Sequence, residues 1–229
     1  MADSHPEERT ERGSERVVDE ELGDASATRI AGASLVLAGA TAFMGIITAE
    51  VLYPGYSTRQ DISDLGSTMP PNPIIHEPSA TIFNSTMLLT GALVLVATYL
   101  VHRGLGRRVL TIPLAVFGVG IFGVGVFPGN VTPWHGLFAM VTFISGGVTV
   151  VLSSKVVARP FSYLCVLFGG TSLLVLTSVL VFGLAGSVHP LQFLGSGGIE
   201  RWVVYPLLVW ILAFGGYLLG DAAGDRAVE

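Results

Sequence analysis

Apolar positions gather along the chain into six long runs, and one polar stretch, Tyr53 to Ser79 (YPGYSTRQDISDLGSTMPPNPIIHEPS), is the single long interruption between them. The runs cover Ala31 to Leu52, Ala80 to Val101, Val109 to Phe127, Pro133 to Leu152, Phe161 to Ala185 and Ile199 to Leu219. Each is close to the length that crosses a hydrocarbon core of about 30 Å at about 1.5 Å per residue. The pattern therefore predicts an all-α polytopic membrane protein with six transmembrane helices. Local punctuation agrees. Thr132 is placed to cap the fourth span with Pro133 at its first position, Pro160 opens the fifth in the same way, and Pro206 inside the sixth predicts a bend. The last three spans do not repeat the first three.

Composition strengthens the class. Hydrophobic residues make up 51% of the 229 and charged residues 13%, about half the charged share of a soluble domain. Nine of the 17 acids lie in the first 28 residues, a stretch without apolar periodicity that reads as a disordered acidic tail, with a second short tail at 221–229. The first apolar run starts too late, and follows too acidic a segment, for a cleaved signal, so it reads as a retained span. Lys155 is the only lysine among 12 basic residues; with the acidic tail, this points to a chain adapted to the salty cytoplasm of a halophile. The composition gives no nucleic-acid surface, and membrane lipids are the expected partners. Cys165 is alone and inside a span, which excludes an intramolecular disulfide and a cysteine metal cluster.

Charge orients the spans. Ten of the 12 basic residues fall in the termini and in the turns after the second and fourth spans, among them Arg103, Arg107, Arg108, Lys155 and Arg159, and only Arg59 and Arg201 fall on the other side. The positive-inside rule then places both termini in the cytoplasm of a cell-membrane protein and the Tyr53 to Ser79 insert outside.

On that outer side, polar residues accumulate. Glu50 ends the first span, His135 lies in the first turn of the fourth, and Glu200 with Arg201 in the first turn of the sixth, while Asn84 is about a turn deeper in the second. The loops add Arg59, Asp61, Asp64, His76, Glu77 and His189. Capping and ion pairing, with Arg201 neutralising Glu50 or Glu200, account for much of such a layer. Yet Glu50 precedes Val51 and Leu52, where a charge needs a partner and faces the bundle interior, so a shared ligand pocket is the second reading. Within it, Glu50, His135 and Glu200 are the candidates for acid–base chemistry, and His76, His135 and His189 the candidate metal ligands, without the spacing of a known metal motif. Transport has less to stand on, because the middles of the spans hold Ser, Thr and Gly rather than charge. Gly118, Gly120, Gly123, Gly125 and the pair Gly169–Gly170 read as helix-packing positions. The glycines of GVGIFGVG have no following lysine and form no phosphate loop.

Five motifs in order, ISDLGS (62–67), IFNSTMLLTG (82–91), GVGVFPGN (123–130), WHGLFAMVTF (134–143) and GIERWVVYPLLVW (198–210), resemble the six-span family known as domain of unknown function 998. The resemblance covers about Ala31 to Leu219. It implies an integral membrane protein of bacteria and archaea without an established activity. By motif it points to Ser63, Leu65, Gly66, Asn84, Phe127, Pro128, His135, Gly136, Glu200 and Arg201. A more distant likeness is to eukaryotic six-span proteins of the Frag1, DRAM and Sfk1 type, some linked to lipid-anchor remodelling. The ligand-binding expectation is thus Glu50, Asp61, Ser63, Asp64, Asn84, His135, Glu200 and Arg201 around a lipid headgroup or small molecule. A lipid hydrolase or transferase, a small-solute transporter and a structural membrane subunit are the alternatives. No cofactor is specified by the residues.

Overall fold

A computed structural model of the protein describes residues 6–224, with side chains from residue 22 to residue 220. Six helices account for most of it: α1 (Pro6–Leu52), α2 (Ser79–Leu105), α3 (Arg108–Val126), α4 (Trp134–Ser153), α5 (Phe161–Leu184) and α6 (Gly195–Gly224). Two short 3-10 turns, Ile62–Leu65 and Gln192–Leu194, lie in the loops before α2 and α6. All six helices contain a stretch long and apolar enough to cross a membrane. The protein is a multi-pass membrane protein, and with six alternating spans α1 enters the bundle at the same end at which α6 leaves it.

Several expected boundaries move. The helix expected to begin near Ala31 is α1 from Pro6 onward, so residues 6–28 are helical rather than without structure. Glu, Arg and Ala, which dominate there, favour helix, and the end of the stretch is anchored: Thr28 is buried against Gly104 at the far end of α2. Residues 1–5 and 225–229, the outer parts of the two expected tails, lie outside the described residues. Prolines 133 and 160 occupy the cap positions, one residue before the helices they open, and Thr132 makes no capping bond. The sixth helix starts a turn earlier than expected, at Gly195, which puts Glu200 and Arg201 in its second turn.

Sequence-adjacent helices pack side by side, α1 closes on α6, and α4 also meets α6. These contacts arrange α1, α2, α3, α4 and α6 around a common centre and leave α5 on the outside, against α4 and α6. Small residues set the close approaches. A Cβ on Gly32 would lie 2.7 Å from the Gly215 carbonyl across α1 and α6, and one on Gly91 would lie 2.5 Å from the Phe122 nitrogen across α2 and α3. Gly118, Gly120, Gly123, Gly125 and Gly169 are likewise pressed against neighbours, but nothing approaches Gly170. Its expected packing role is therefore not met, because it faces away from the helices that touch α5.

The long polar insert is folded into the bundle rather than laid over it. Ile62 and Leu65 of its 3-10 turn are 3% and 0% exposed and join the core, together with buried Ser67. The Ser79 hydroxyl at the start of α2 donates to the Leu65 carbonyl at 3.2 Å, and Thr68 and Ile74 exchange hydrogen bonds that close the outer part of the loop. The insert is a plug: its apolar pair replaces the side chains that the helices do not supply at that end.

Candidate functional site

Arg201 organises the end of the bundle that holds the plug. Two turns into α6, its guanidinium donates from Nη2 to Glu50 Oε1 at 2.5 Å and to the Tyr56 hydroxyl at 2.9 Å. From Nη1 it donates to the carbonyls of Thr58, Gln60 and Gly197 at 2.9–3.1 Å. The Tyr56 hydroxyl passes the chain of bonds on to the Asp61 carbonyl at 2.9 Å, and its ring lies under the guanidinium at 5.8 Å. Burial pushes the Tyr56 phenol up to about 12, against the opposing pull of Arg201, so the hydroxyl stays a donor at any physiological pH. Glycine makes the approach possible. Gly197 donates its N–H to the Arg59 carbonyl at 3.0 Å, and a Cβ there would overlap the Gln60 carbonyl. Arg201 thus ties α1, α6 and the insert together, with all four Nη hydrogens taken by those acceptors.

Glu200, its neighbour, faces elsewhere. Its Oε2 accepts the Ile62 N–H at 2.5 Å and so caps the 3-10 turn. Glu200, Ser63 and His135 are among the residues that line an interior cavity. The cavity runs between α1, α2, α3, α4 and α6 and is walled almost wholly by carbon, with Ile46, Met87, Phe117, Phe143 and Leu208 among its lining. Along α6 it extends from Glu200 to Leu208, a depth of about 12 Å at the helical rise. His135 is 2% exposed, and its Nδ1 lies 2.8 Å from the Phe127 carbonyl. A carbonyl only accepts, so Nδ1 carries a proton and donates to it. Thr90, also on the cavity wall, is 1% exposed, and its hydroxyl has no hydrogen-bond partner among the described residues.

The expected four-residue layer is therefore two sets. Glu50 and Arg201 form an ion pair inside a structural clamp, whereas His135 and Glu200 line the cavity with Ser63. Asp61 and Asp64 flank and belong to the capped turn. Burial, with Asp61 adding its charge, pushes the Asp64 carboxyl up to about 6. Asn84 lies beside the plug rather than in the cavity lining: its Oδ1 is buried against Gly66, with no partner among the described residues. The three histidines stay apart. His76 packs edge-on against Tyr53 at 4.4 Å, and His189 is held by the Ser178 hydroxyl at 3.0 Å and the Leu191 N–H at 3.1 Å. Among the described residues, no three of His, Cys, Asp and Glu gather as a metal site. Tyr56, Thr90 and the apolar wall were not among the sequence candidates. A tyrosine four residues beyond a hydrophobic span end and six before the start of the buried ISDLG turn was the available signal for the first; the wall has none.

The chain matches, over residues 36–217, the family described as protein of unknown function (DUF998), and it belongs to that family. No curated protein and no solved structure matches it.

Proposed function

We propose that this DUF998 protein recognises a single-chain portion of a membrane lipid at the outer leaflet, taking the chain into the cavity and holding its polar end beside Ser63, His135 and Glu200. The observation that carries this reading is the cavity itself: carbon walls about the length of a short alkyl chain, with Ser63, His135 and Glu200 in the lining. Its lining has the make-up of small-molecule sites, which combine apolar walls with a few placed polar groups. A water-soluble metabolite would leave those walls unused, and water finds few partners along them. The outer-leaflet placement rests on the basic turns after α2 and α4, which the positive-inside rule assigns to the cytoplasm.

The test is to block the cavity without touching its polar residues. Ala139→Phe on α4 projects a ring into the space. The protein purified in digitonin, which has no alkyl tail to compete, should carry a bound lipid visible by native mass spectrometry. The variant should lose that lipid while keeping its melting temperature within a few degrees. Equal lipid occupancy in both proteins would remove the cavity from the account.

A further inference from the structure

We infer that the cavity is a blind well that measures chain length, with Phe117 and Leu207 as its floor, so that it accepts short alkyl chains and rejects longer ones. The inference rests on the lipid-binding reading above and names the chain class. At one end the plug contributes Ile62 and Ser63 to the lining. Away from the plug, the lining stops at Ala42, Thr90, Phe117, Phe143 and Leu208 on the five helices. The next positions on four of those faces, Ala38, Val94, Leu114 and Ile211, are 0% exposed and belong to the hydrophobic core. On α4 the face of Ala139 and Phe143 continues to Gly146, which has no side chain to fill the space. Two other side chains fill it instead. A Cβ on Gly146 would lie 2.7 Å from Phe117 Cε2 and 2.8 Å from Leu207 Cδ1. Phe117 from α3 and Leu207 from α6 both line the cavity, and they meet over the glycine and shut it.

The position of that floor sets a length. Along α6 the lining spans Glu200 to Leu208, about 12 Å at the helical rise. An extended alkyl chain advances about 1.25 Å per carbon on bonds of about 1.5 Å, so about ten carbons reach the floor. Up to that length an added methylene is buried among carbon. Beyond it the next methylene meets a close-packed interior, where an added group forces its neighbours out of place. Discrimination by length therefore comes from Phe117 and Leu207, because the walls touch every chain alike.

The test loads the protein in digitonin with an equimolar mixture of straight 1-alkanols of ten, twelve, fourteen, sixteen and eighteen carbons. Native mass spectrometry then reads which of them the protein retains once the micelle is stripped. The unmodified protein should retain the ten- and twelve-carbon alcohols about tenfold or more over the sixteen- and eighteen-carbon ones, the scale of one overpacked site. Phe117→Leu and Leu207→Ala lower the floor and should carry the limit to longer chains. Gly146→Ala lifts both side chains into the cavity and should favour ten carbons over twelve. That third variant meets only side-chain tips that have the cavity to move into, so it decides the question if the two truncations do not fold. Retention regardless of length, a preference for the longest chains, or a limit that stays put in the variants that fold overturns the floor and leaves the lipid reading standing. Retention of none of the alcohols overturns both.

Discussion

Arg201 and Glu50 are 11% and 20% exposed as side chains, so their pairing is largely removed from water and the loss of one partner leaves a charge stranded. Arg201→Gln should destabilise the protein by about 3 kcal/mol, read as a clear drop in melting temperature in detergent. Adding Glu50→Gln should recover part of that loss, because the carbonyls of Thr58, Gln60 and Gly197 remain without their donor. Adding Glu200→Gln should recover nothing, since Glu200 is bonded to Ile62 instead. Rescue by Glu200→Gln and not by Glu50→Gln would contradict the assignment of partners. Asp64 gives a pH signature. Its carboxyl is raised in the folded protein, from 3.8 to about 6, so the native state favours the protonated form. That contribution to stability is complete below pH 4 and is lost as pH rises through 6. The gain in melting temperature from Asp64→Asn should accordingly be small at pH 4, grow between pH 4 and 6, and level off above. A gain that is flat with pH would show that burial does not hold this proton. From sequence, Arg201 could be paired with Glu50 or with Glu200, and spacing does not choose. The choice depends on α6 beginning at Gly195, which turns Glu200 toward the cavity and Arg201 toward the insert.

At the scale of the elements, the number, order and approximate limits of the spans were legible because hydrophobic length is a direct requirement of the bilayer. The start of α6 was not. GSGG at 195–198 reads as a break, yet α6 starts there, with Gly195 at a positive φ of 76° and the backbone of Arg59 and Gln60 lying where a side chain at Gly195 or Gly197 would be. The insert misled for a related reason: Pro, Asp and Ser dominate it, and only the pair Ile62 and Leu65 reveals that its middle is core. Glycine contacts between helices supply a paired prediction. Gly91→Ala places a methyl group against the Phe122 backbone and should cost about 1–3 kcal/mol, the range for overpacking. Gly170→Ala, with nothing within 4 Å, should leave the melting temperature unchanged or slightly raised. A loss of stability at Gly170 equal to that at Gly91 would mean that α5 packs differently.

At the scale of the whole molecule, the closed arrangement of α1, α2, α3, α4 and α6 with α5 outside is what creates a central space, and no periodicity in the sequence encodes it. Met87 and Phe117 face the cavity while Leu174 and Leu180 on α5 are exposed, although all four are the same kind of residue in the same kind of run. A cavity is defined by what side chains fail to fill, so it becomes visible only when the helices are assembled. Orientation is the second property of the whole. In a Cys165→Ala background, an impermeant thiol reagent applied to intact cells should label a cysteine at Met69, which is 53% exposed on the insert, and spare one at Ala158 in the turn after α4. Ser67 is unsuited to this purpose because it is buried. Labelling only at Ala158 would invert the protein and place the Ser63, His135 and Glu200 side of the bundle at the cytoplasmic leaflet. The central claim, a lipid chain inside the bundle, is met most directly by photo-crosslinking with a dodecanol that carries a diazirine at mid-chain, followed by peptide mapping. The account predicts adducts on the cavity wall, at Met87, Phe117 or Phe143, and their loss in Ala139→Phe; adducts confined to the outward face of α5, or wall adducts that persist in that variant, would contradict it.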